Sequence, residues 1–235
     1  MQEIPYVGNE LELFEKAYNW KKYYGNFLKP FLKGKVLEVG AGLGGTTNIL
    51  CNGNEDKWLC LEPDRNLFNK LQERIQKHEL PLCCTALNGT IQDLPGKEKY
   101  NAIIYIDVIE HIEKDNEELL RAKSYLEHGG YLIVLVPAHQ YLFNRFDKAI
   151  GHYRRYNKEM LLNAAPKDLK LVKIKYLDSV GLVASILNKY ILKQDYPTST
   201  QISFWNKCII PISKVTDILF NYNLGKTLFG IWENK

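Results

Sequence analysis

Two carboxylates flank a glycine-rich segment early in the chain. The segment is Val36-Leu37-Glu38-Val39-Gly40-Ala41-Gly42-Leu43-Gly44-Gly45, and the second carboxylate, Glu62, closes the next apolar run over 58–63. Glycines between a strand and a helix let the backbone turn tightly and let a ligand approach where a Cβ would collide. A helix N-terminus beyond them offers free N–H groups to a carboxylate or phosphate. Gly40, Gly42 and Gly45 satisfy G-x-G-x-x-G, so the spacing alone admits a nicotinamide or flavin dinucleotide. Glu38 argues for a different ligand. A carboxylate two residues before the first glycine repels a pyrophosphate and attracts a molecule carrying an ammonium and a sulfonium. Glu62, at a strand end, can accept both hydroxyls of a ribose and suits either ligand.

Two further clusters could act on a second substrate. Glu110-His111 opens the segment after a later apolar run, and His111 either takes a substrate proton near neutrality or braces the following helix. The run from Asp147 to Tyr156 places Gly-His before Tyr153-Arg154-Arg155-Tyr156. Adjacent arginines between tyrosines can clamp a carboxylate or phosphate and cover a ring. Asp147 can neutralise one arginine, which leaves the other for the pocket; His152, Tyr153, Arg154 and Arg155 are the candidate substrate contacts. His139, just past Pro137, reads as a surface residue, and Tyr105 and Tyr131 read as core.

The elements that must position these groups alternate along the chain. Short apolar strands are predicted over 35–40, 58–63, 82–87, 100–106 and 131–136, with amphipathic helices over 46–51, 65–77 and 115–126 between them. Asp64 and Asp115 are expected N-caps, and Gly129-Gly130 is expected to end the third of these helices. A helix over 158–164 after Asn157, a strand over 169–177, helical stretches over 180–192 and 203–220 and a last strand over 227–232 complete the pattern. An opening helical segment over 10–32 is interrupted by Gly25 and Pro30. Near-continuous apolar strands alternating with helices give a doubly wound, mostly parallel seven-stranded sheet with helices on both faces and the last strand antiparallel. One α/β domain over 1–235, with a helical insertion over 179–222, accounts for the whole.

Composition bounds the function. Hydrophobic residues make up 46% and charged residues 25%, the proportions of an ordinary folded chain rather than a disordered one. The balance of 31 basic against 27 acidic residues gives a net charge of +4 spread along the sequence, which does not favour nucleic acid. The five cysteines form no C-x-x-C pair, and Cys83-Cys84 would point to opposite faces of a strand. Buried reduced thiols and no metal are therefore expected. The opening residues lack the apolar core of a signal peptide, and no apolar run reaches the roughly 18 residues of a spanning helix, so a cytoplasmic protein is expected. Lys189, Lys193, Lys207 and Lys214 beside apolar helical stripes leave a peripheral membrane contact open.

With E-x-G-x-G-x-G and an acid ending the second strand, the sequence resembles the class I S-adenosylmethionine-dependent methyltransferases. The likeness continues in YIDVIEHIEKD (105–115) and GGYLIVLVPA (129–138), and HQYLFNRFDKAIGHYRRYNKEML (139–161) is similar to a small bacterial branch of that superfamily. The resemblance implies the Rossmann-like methyltransferase fold, S-adenosyl-L-methionine as cofactor and S-adenosyl-L-homocysteine as product. It implies that Glu38, Gly40, Ala41, Gly42 and Gly44 surround the methionine half and that Glu62 and Pro63 lie by the ribose. Thr90 and Ile91 would lie by the adenine, Thr90 standing where many members carry an acid. Asp107, Val108 and Ile109 would form the floor. The expected reaction is methyl transfer to an O or N atom of a small-molecule, carrier-linked or lipid-linked acceptor. A nicotinamide-dependent oxidoreductase and an inactive methyltransferase-like scaffold are the alternatives.

Overall fold

Alternation of side chains decides which face of the sheet each strand residue joins. The computed structural model describes residues 14–96, 98–192 and 196–235. In β1 (Lys35–Val39), Val36 faces one core and Leu37 and Val39 face the other. The strands that follow are β2 (Lys57–Glu62), β3 (Cys84–Asn88), β4 (Tyr100–Ile106), β5 (Leu126–Pro137), β6 (Lys170–Leu177) and β7 (Thr227–Glu233). They form one sheet in the order β3-β2-β1-β4-β5-β7-β6, parallel through β5, with β7 antiparallel to both β5 and β6. The order reverses between β1 and β4, where ligands of such sheets bind beyond the carboxyl ends of the strands.

Helices cover both faces, as the sequence predicts. On one side lie α1 (Tyr18–Leu28), α2 (Thr47–Leu50) and α3 (Arg65–Gln76), whose Trp20, Tyr24, Leu50 and Leu71 are buried in the first core. On the other lie α4 (Asp115–Ser124) and α6 (Lys158–Ala164), which bury Leu119 and Leu161; the short α5 (Arg145–Ala149) precedes α6. Each fully buried Leu or Ile contributes about 1.5–3 kcal/mol. The insertion before β7 consists of α7 (Ser179–Leu187), α8 (Ser199–Phe204) and α9 (Ile210–Leu219), with π-helical turns after α7 and α8. No helix among the described residues is long and apolar enough to cross a membrane.

Several local expectations are corrected. Gly25 does not interrupt the opening helix: it lies inside α1, where its missing Cβ lets Leu50 approach. Residues 10–13 of that expected segment, and Lys193, lie outside the described residues. Gly129-Gly130 sits within β5 instead of ending α4. A Cβ on Gly130 would lie 3.0 Å from the Tyr100 carbonyl, so the glycine serves a close strand approach where the β4–β5 register shifts. Asp115 is the first residue of α4 and not its cap; its carboxylate is taken by Tyr156 and Arg154. β3 begins at Cys84 and not at residue 82. Cys83 therefore precedes the strand, and both adjacent thiols reach Cys51. Of the five cysteines, Cys51, Cys60 and Cys84 are buried, while Cys83 is half-buried and Cys208 exposed. His139 is half-buried, its ring stacked between Tyr141 and Tyr176.

Candidate active site

The glycine turn is held by the strand beside it. The N–H groups of Gly40 and Ala41 both donate to the Leu61 carbonyl at 2.9 Å, which ties the turn to the end of β2. Gly40 lies at φ +71°, and a Cβ there would come within 2.6 Å of Val108 Cγ2. Gly44, at φ +77°, would collide with Leu71 in the same way. The backbone is thus left-handed at both positions, and glycine accommodates the turn. The following α2 is a single turn of four residues, shorter than the predicted 46–51.

Both carboxylates of the motif are buried and engaged within the protein. Glu62 accepts from Gly42 N at 2.7 Å and from Asp64 N at 2.9 Å. Glu38 accepts from Thr47 Oγ1 at 2.7 Å and Trp58 Nε1 at 2.8 Å. Burial pushes each carboxyl up to about 7. Glu38 therefore braces the turn against α2 and β2. The cation nearest its field is Lys21 of α1, whose Nζ donates to the Glu15 carbonyl and is brought down to about 8 by burial.

A cavity of about 300 Å³ opens between the glycine turn, the end of β4 and the 147–155 segment. Gly40, Ala41 and Gly42 line it on one side, with Lys21 and Tyr24 above them. Asp107 lies on its floor at φ +54°, its carboxyl raised to about 6 by burial. Glu110 also lines it, fully buried, and neither of its carboxylate oxygens has a hydrogen-bond partner. Burial drives that carboxyl well above the usual range. A buried, unpaired carboxyl facing a cavity is costly unless a ligand or proton satisfies it.

The cluster predicted to contact a second substrate assembles around Asp147. His152 Nδ1 lies 2.9 Å from Asp147 Oδ1, and its Nε2 lies 3.9 Å from Glu110 Oε1. Arg155 Nε bonds both Asp147 oxygens at 3.0 Å. Burial pushes Asp147 up, but His152 and Arg155 together hold it below the usual carboxylate range. An ionised Asp147 accepts, so Nδ1 of His152 carries a proton and Nε2 is turned toward Glu110. The His111 ring meets His152 edge-on at 4.5 Å between centroids, and burial lowers it to about 4.

The predicted residues separate into three groups. Gly40, Ala41, Gly42, Asp107, His111, His152 and Arg155 line the cavity. Glu62, Pro63, Thr90 and Ile91 follow the carboxyl ends of β2 and β3, beyond its walls; Thr90 caps a 3-10 turn in which Asp93 bonds back to it. Glu38, Gly44, Val108 and Ile109 support the turn and floor from behind. Arg154 departs from expectation. It pairs with Asp115 at 2.7 Å and donates to the Glu113 carbonyl, away from the cavity, while Tyr153 is exposed beside it. The arginine that Asp147 neutralises is the one that also faces the cavity.

Sequence reasoning missed Lys21, Lys226, Trp205 and Glu110 as cavity residues. Only Glu110 carried a signal, its place beside His111. Lys226 is half-buried, 3.6 Å from Asp178 and over the Trp205 ring at 4.1 Å. A second cavity, of about 390 Å³, shares Arg155, Ser185, Trp205 and Lys226 with the first and continues between α7 and α8 along Leu142, Ile202 and Ile209.

Residues 37–132, from the glycine turn through β5, match the family model described as a methyltransferase domain. Over those residues the chain is similar to the methyltransferase family. A hybrid PKS-NRPS synthetase of Petromyces alliaceus is 24% identical over 160 residues, 56% of this chain and 4% of that protein. The chain thus spans a small fraction of the length of that curated relative. Among solved structures, geranyl diphosphate methyltransferase in complex with SAM aligns with a TM-score of 0.65 at 12% identity, covering 97% of this chain and 91% of that one. The N-methyltransferase NodS of Bradyrhizobium japonicum WM9, in complex with S-adenosyl-L-homocysteine, aligns at 0.58 and 12% identity, over 97% and 92%. At such identities the structural likeness establishes the fold. The glycine cradle at Gly40, which a Cβ would fill, is of a kind that fits a cofactor approaching the backbone closely.

Proposed function

We propose that the protein transfers a methyl group from S-adenosyl-L-methionine to an O or N atom of a small or carrier-linked acceptor. One observation carries the reading: the glycine cradle opens onto the same cavity as the unpaired Glu110 carboxyl and the Asp147–His152 pair. The cofactor, when bound, supplies a methyl carbon activated by its sulfonium. Gly40, Ala41 and Gly42 would take its methionine part, Lys21 its carboxylate, and Glu62 its ribose hydroxyls.

The remaining work falls to side chains of the cavity. A hydroxyl or protonated amine must lose a proton to attack, and general-base help is worth roughly 10²–10⁴-fold. His152 is the better-placed acceptor: Asp147 fixes its ring and leaves Nε2 free, whereas burial holds His111 at about 4. Protonated Glu110 donates to a polar atom of the acceptor. Arg155 and Lys226 place positive charge where the two cavities join, which suits an acceptor with an anionic group and an apolar body lying along Ile202 and Ile209.

Calorimetric titration with S-adenosyl-L-homocysteine and with NAD tests the cofactor. The first is expected to bind and the second not; tighter NAD binding overturns the reading. Incubation of a metabolite extract with methyl-labelled cofactor then identifies the acceptor. His152→Ala is expected to keep homocysteine-cofactor affinity and to lower labelling by roughly 10²–10⁴-fold. Unchanged labelling would remove His152 from the chemistry.

A further inference from the structure

Three thiols and a carboxylate converge at the amino-terminal end of β3, on a part of the molecule that methyl transfer does not use. Cys51 follows α2, Glu55 lies in the turn that leads into β2, and Cys83 immediately precedes Cys84, the first residue of the edge strand. Cys51 Sγ is 3.4 Å from Cys83 Sγ, 3.7 Å from Cys84 Sγ and 3.3 Å from Glu55 Oε2. All three sulfurs lie within 4.8 Å of one another. A tetrahedral zinc site with Zn–S bonds of about 2.3 Å separates its sulfurs by about 3.8 Å, close to what the free thiols already show. Glu55 is buried, and Gly53 N fixes its Oε2 at 3.1 Å, with Gly53 itself at φ +84°. Cys51 and Cys84 are buried, while the half-buried Cys83 gives solvent a way in.

We propose that Cys51, Cys83 and Cys84 bind a soft divalent cation of the Zn²⁺ type, with the Glu55 carboxylate, now bonded to Cys51 Sγ, moving onto the ion as the fourth ligand. The ligands come from three separate segments, so no C-x-x-C spacing announces them. Binding breaks three S–H bonds and sends three protons to solvent, and it forms three S–metal bonds and one O–metal bond; nothing is oxidised or reduced. The thiols must lose their protons to bind, so uptake is expected to strengthen as pH rises. The ion would clamp the end of α2 and the turn before β2 to β3, the edge strand that pairs with β2. A Cys51–Cys83 disulfide would use the same proximity but would leave Cys84 and Glu55 without a role.

The test is a titration of the fully reduced, chelator-stripped protein with Co²⁺, followed by Zn²⁺. One equivalent of Co²⁺ is expected to give the intense visible bands of tetrahedral cobalt and a thiolate-to-cobalt charge-transfer band, and Zn²⁺ to erase both. Cys83→Ser, at the half-buried position, and Glu55→Gln are each expected to weaken Co²⁺ by at least the roughly 10–100-fold that loss of a ligand's outer-shell partner costs. Cys208→Ser is expected to change nothing. His152→Ala is expected to keep the charge-transfer band, because the Glu110, His111 and His152 cluster offers no sulfur. An absence of Co²⁺ binding, an octahedral spectrum without charge transfer, or an unchanged band in Cys83→Ser overturns the proposal. So does a Cys51–Cys83 disulfide, mapped by peptide mass spectrometry, that forms at the same rate with and without Zn²⁺.

Discussion

The two walls of the cavity are built by different means. On the side of β1 and β2 the ligand surface is mostly backbone: a turn with Gly40 and Gly44 in left-handed conformations, tied to the Leu61 carbonyl and to Glu62. On the side of β6, β7 and the helical insertion it is side chains held by a buried polar network. Asp178 accepts from Trp205 Nε1 at 2.7 Å, Ser213 Oγ at 2.6 Å and Gly181 N at 2.9 Å, and it faces Lys226. Asp217 accepts from Tyr23 Oη at 2.8 Å and from the N–H groups of Asp178 and Ser179. Both aspartates have no exposed surface, so each is stable there only because its partners are present. A backbone-built wall tolerates change in its side chains. A network-built wall ties its side of the cavity to several distant residues at once.

Removing the centre of the network should have the largest effect. Asp178→Ala leaves the buried Trp205 Nε1, Ser213 Oγ and Gly181 N without their acceptor, and each such unmet donor costs about 1–3 kcal/mol. Urea unfolding should show that loss, with homocysteine-cofactor binding retained under native conditions because the glycine cradle draws nothing from Asp178. If binding falls in step with stability, the two walls are not separable. Gly40→Ala probes the opposite side. Forcing a Cβ into a left-handed position costs about 1–2 kcal/mol, and the new methyl meets Val108. Its melting temperature should fall less than that of Asp178→Ala, while calorimetry should show cofactor binding lost.

A smaller change sharpens the network side. Tyr23→Phe removes one donor to Asp217 but leaves its two backbone donors, so about 1–1.5 kcal/mol is expected from denaturant midpoints. A loss of several kcal/mol would mean that Tyr23 is the main support of the insertion on α1.

The last effect is a slope with pH rather than a fixed loss. Folding raises Glu38 from 4.5 to about 7, so the stability it holds is full below pH 4.5 and is lost as pH rises through about 7. Glu62 adds a slope of the same sign. His111, lowered from 6.5 to about 4, acts oppositely: its contribution is full above 6.5 and lost as pH falls through about 4. Glu38→Gln still offers an oxygen to Thr47 and Trp58 but no longer titrates. Measured by melting temperature, the variant should therefore gain on the wild type between pH 4.5 and 7. A constant difference across that range would show that Glu38 keeps an ordinary carboxyl.

What was legible in the sequence follows the same division. Asp64 and Asn157 cap α3 and α6 as their types predict, since a cap is decided within four residues. The glycine turn and Glu62 were readable for the same reason. The twin arginines were readable as a pair but not as individuals, because Asp115 and Asp147 compete for them across more than one element. Lys21 gave no sign at all. It sits beside Lys22 in an aromatic helix, and only the packing of α1 over the glycine turn buries one lysine and leaves the other exposed. Gly129-Gly130 misled because a helix stop and a close strand crossing call for the same residue.

The place of β7 in the sheet bears on the order in which the protein can form as it is made. β6 pairs only with β7, and β7 lies between β6 and β5 although it is the last strand in sequence. While residues 170–226 emerge from the ribosome, β5 and β6 both present open edges, and the apolar insertion between β6 and β7 has no finished sheet to rest on. The glycine turn, β1 to β5 and their helices can meanwhile assemble by adjacent parallel pairing. The half with the glycine turn can thus form early in synthesis, and the half beyond β5 closes in a single late step when residues 227–233 slide between two waiting strands. During that interval the nascent chain exposes two unpaired edges, the feature that recruits unwanted strands from other chains.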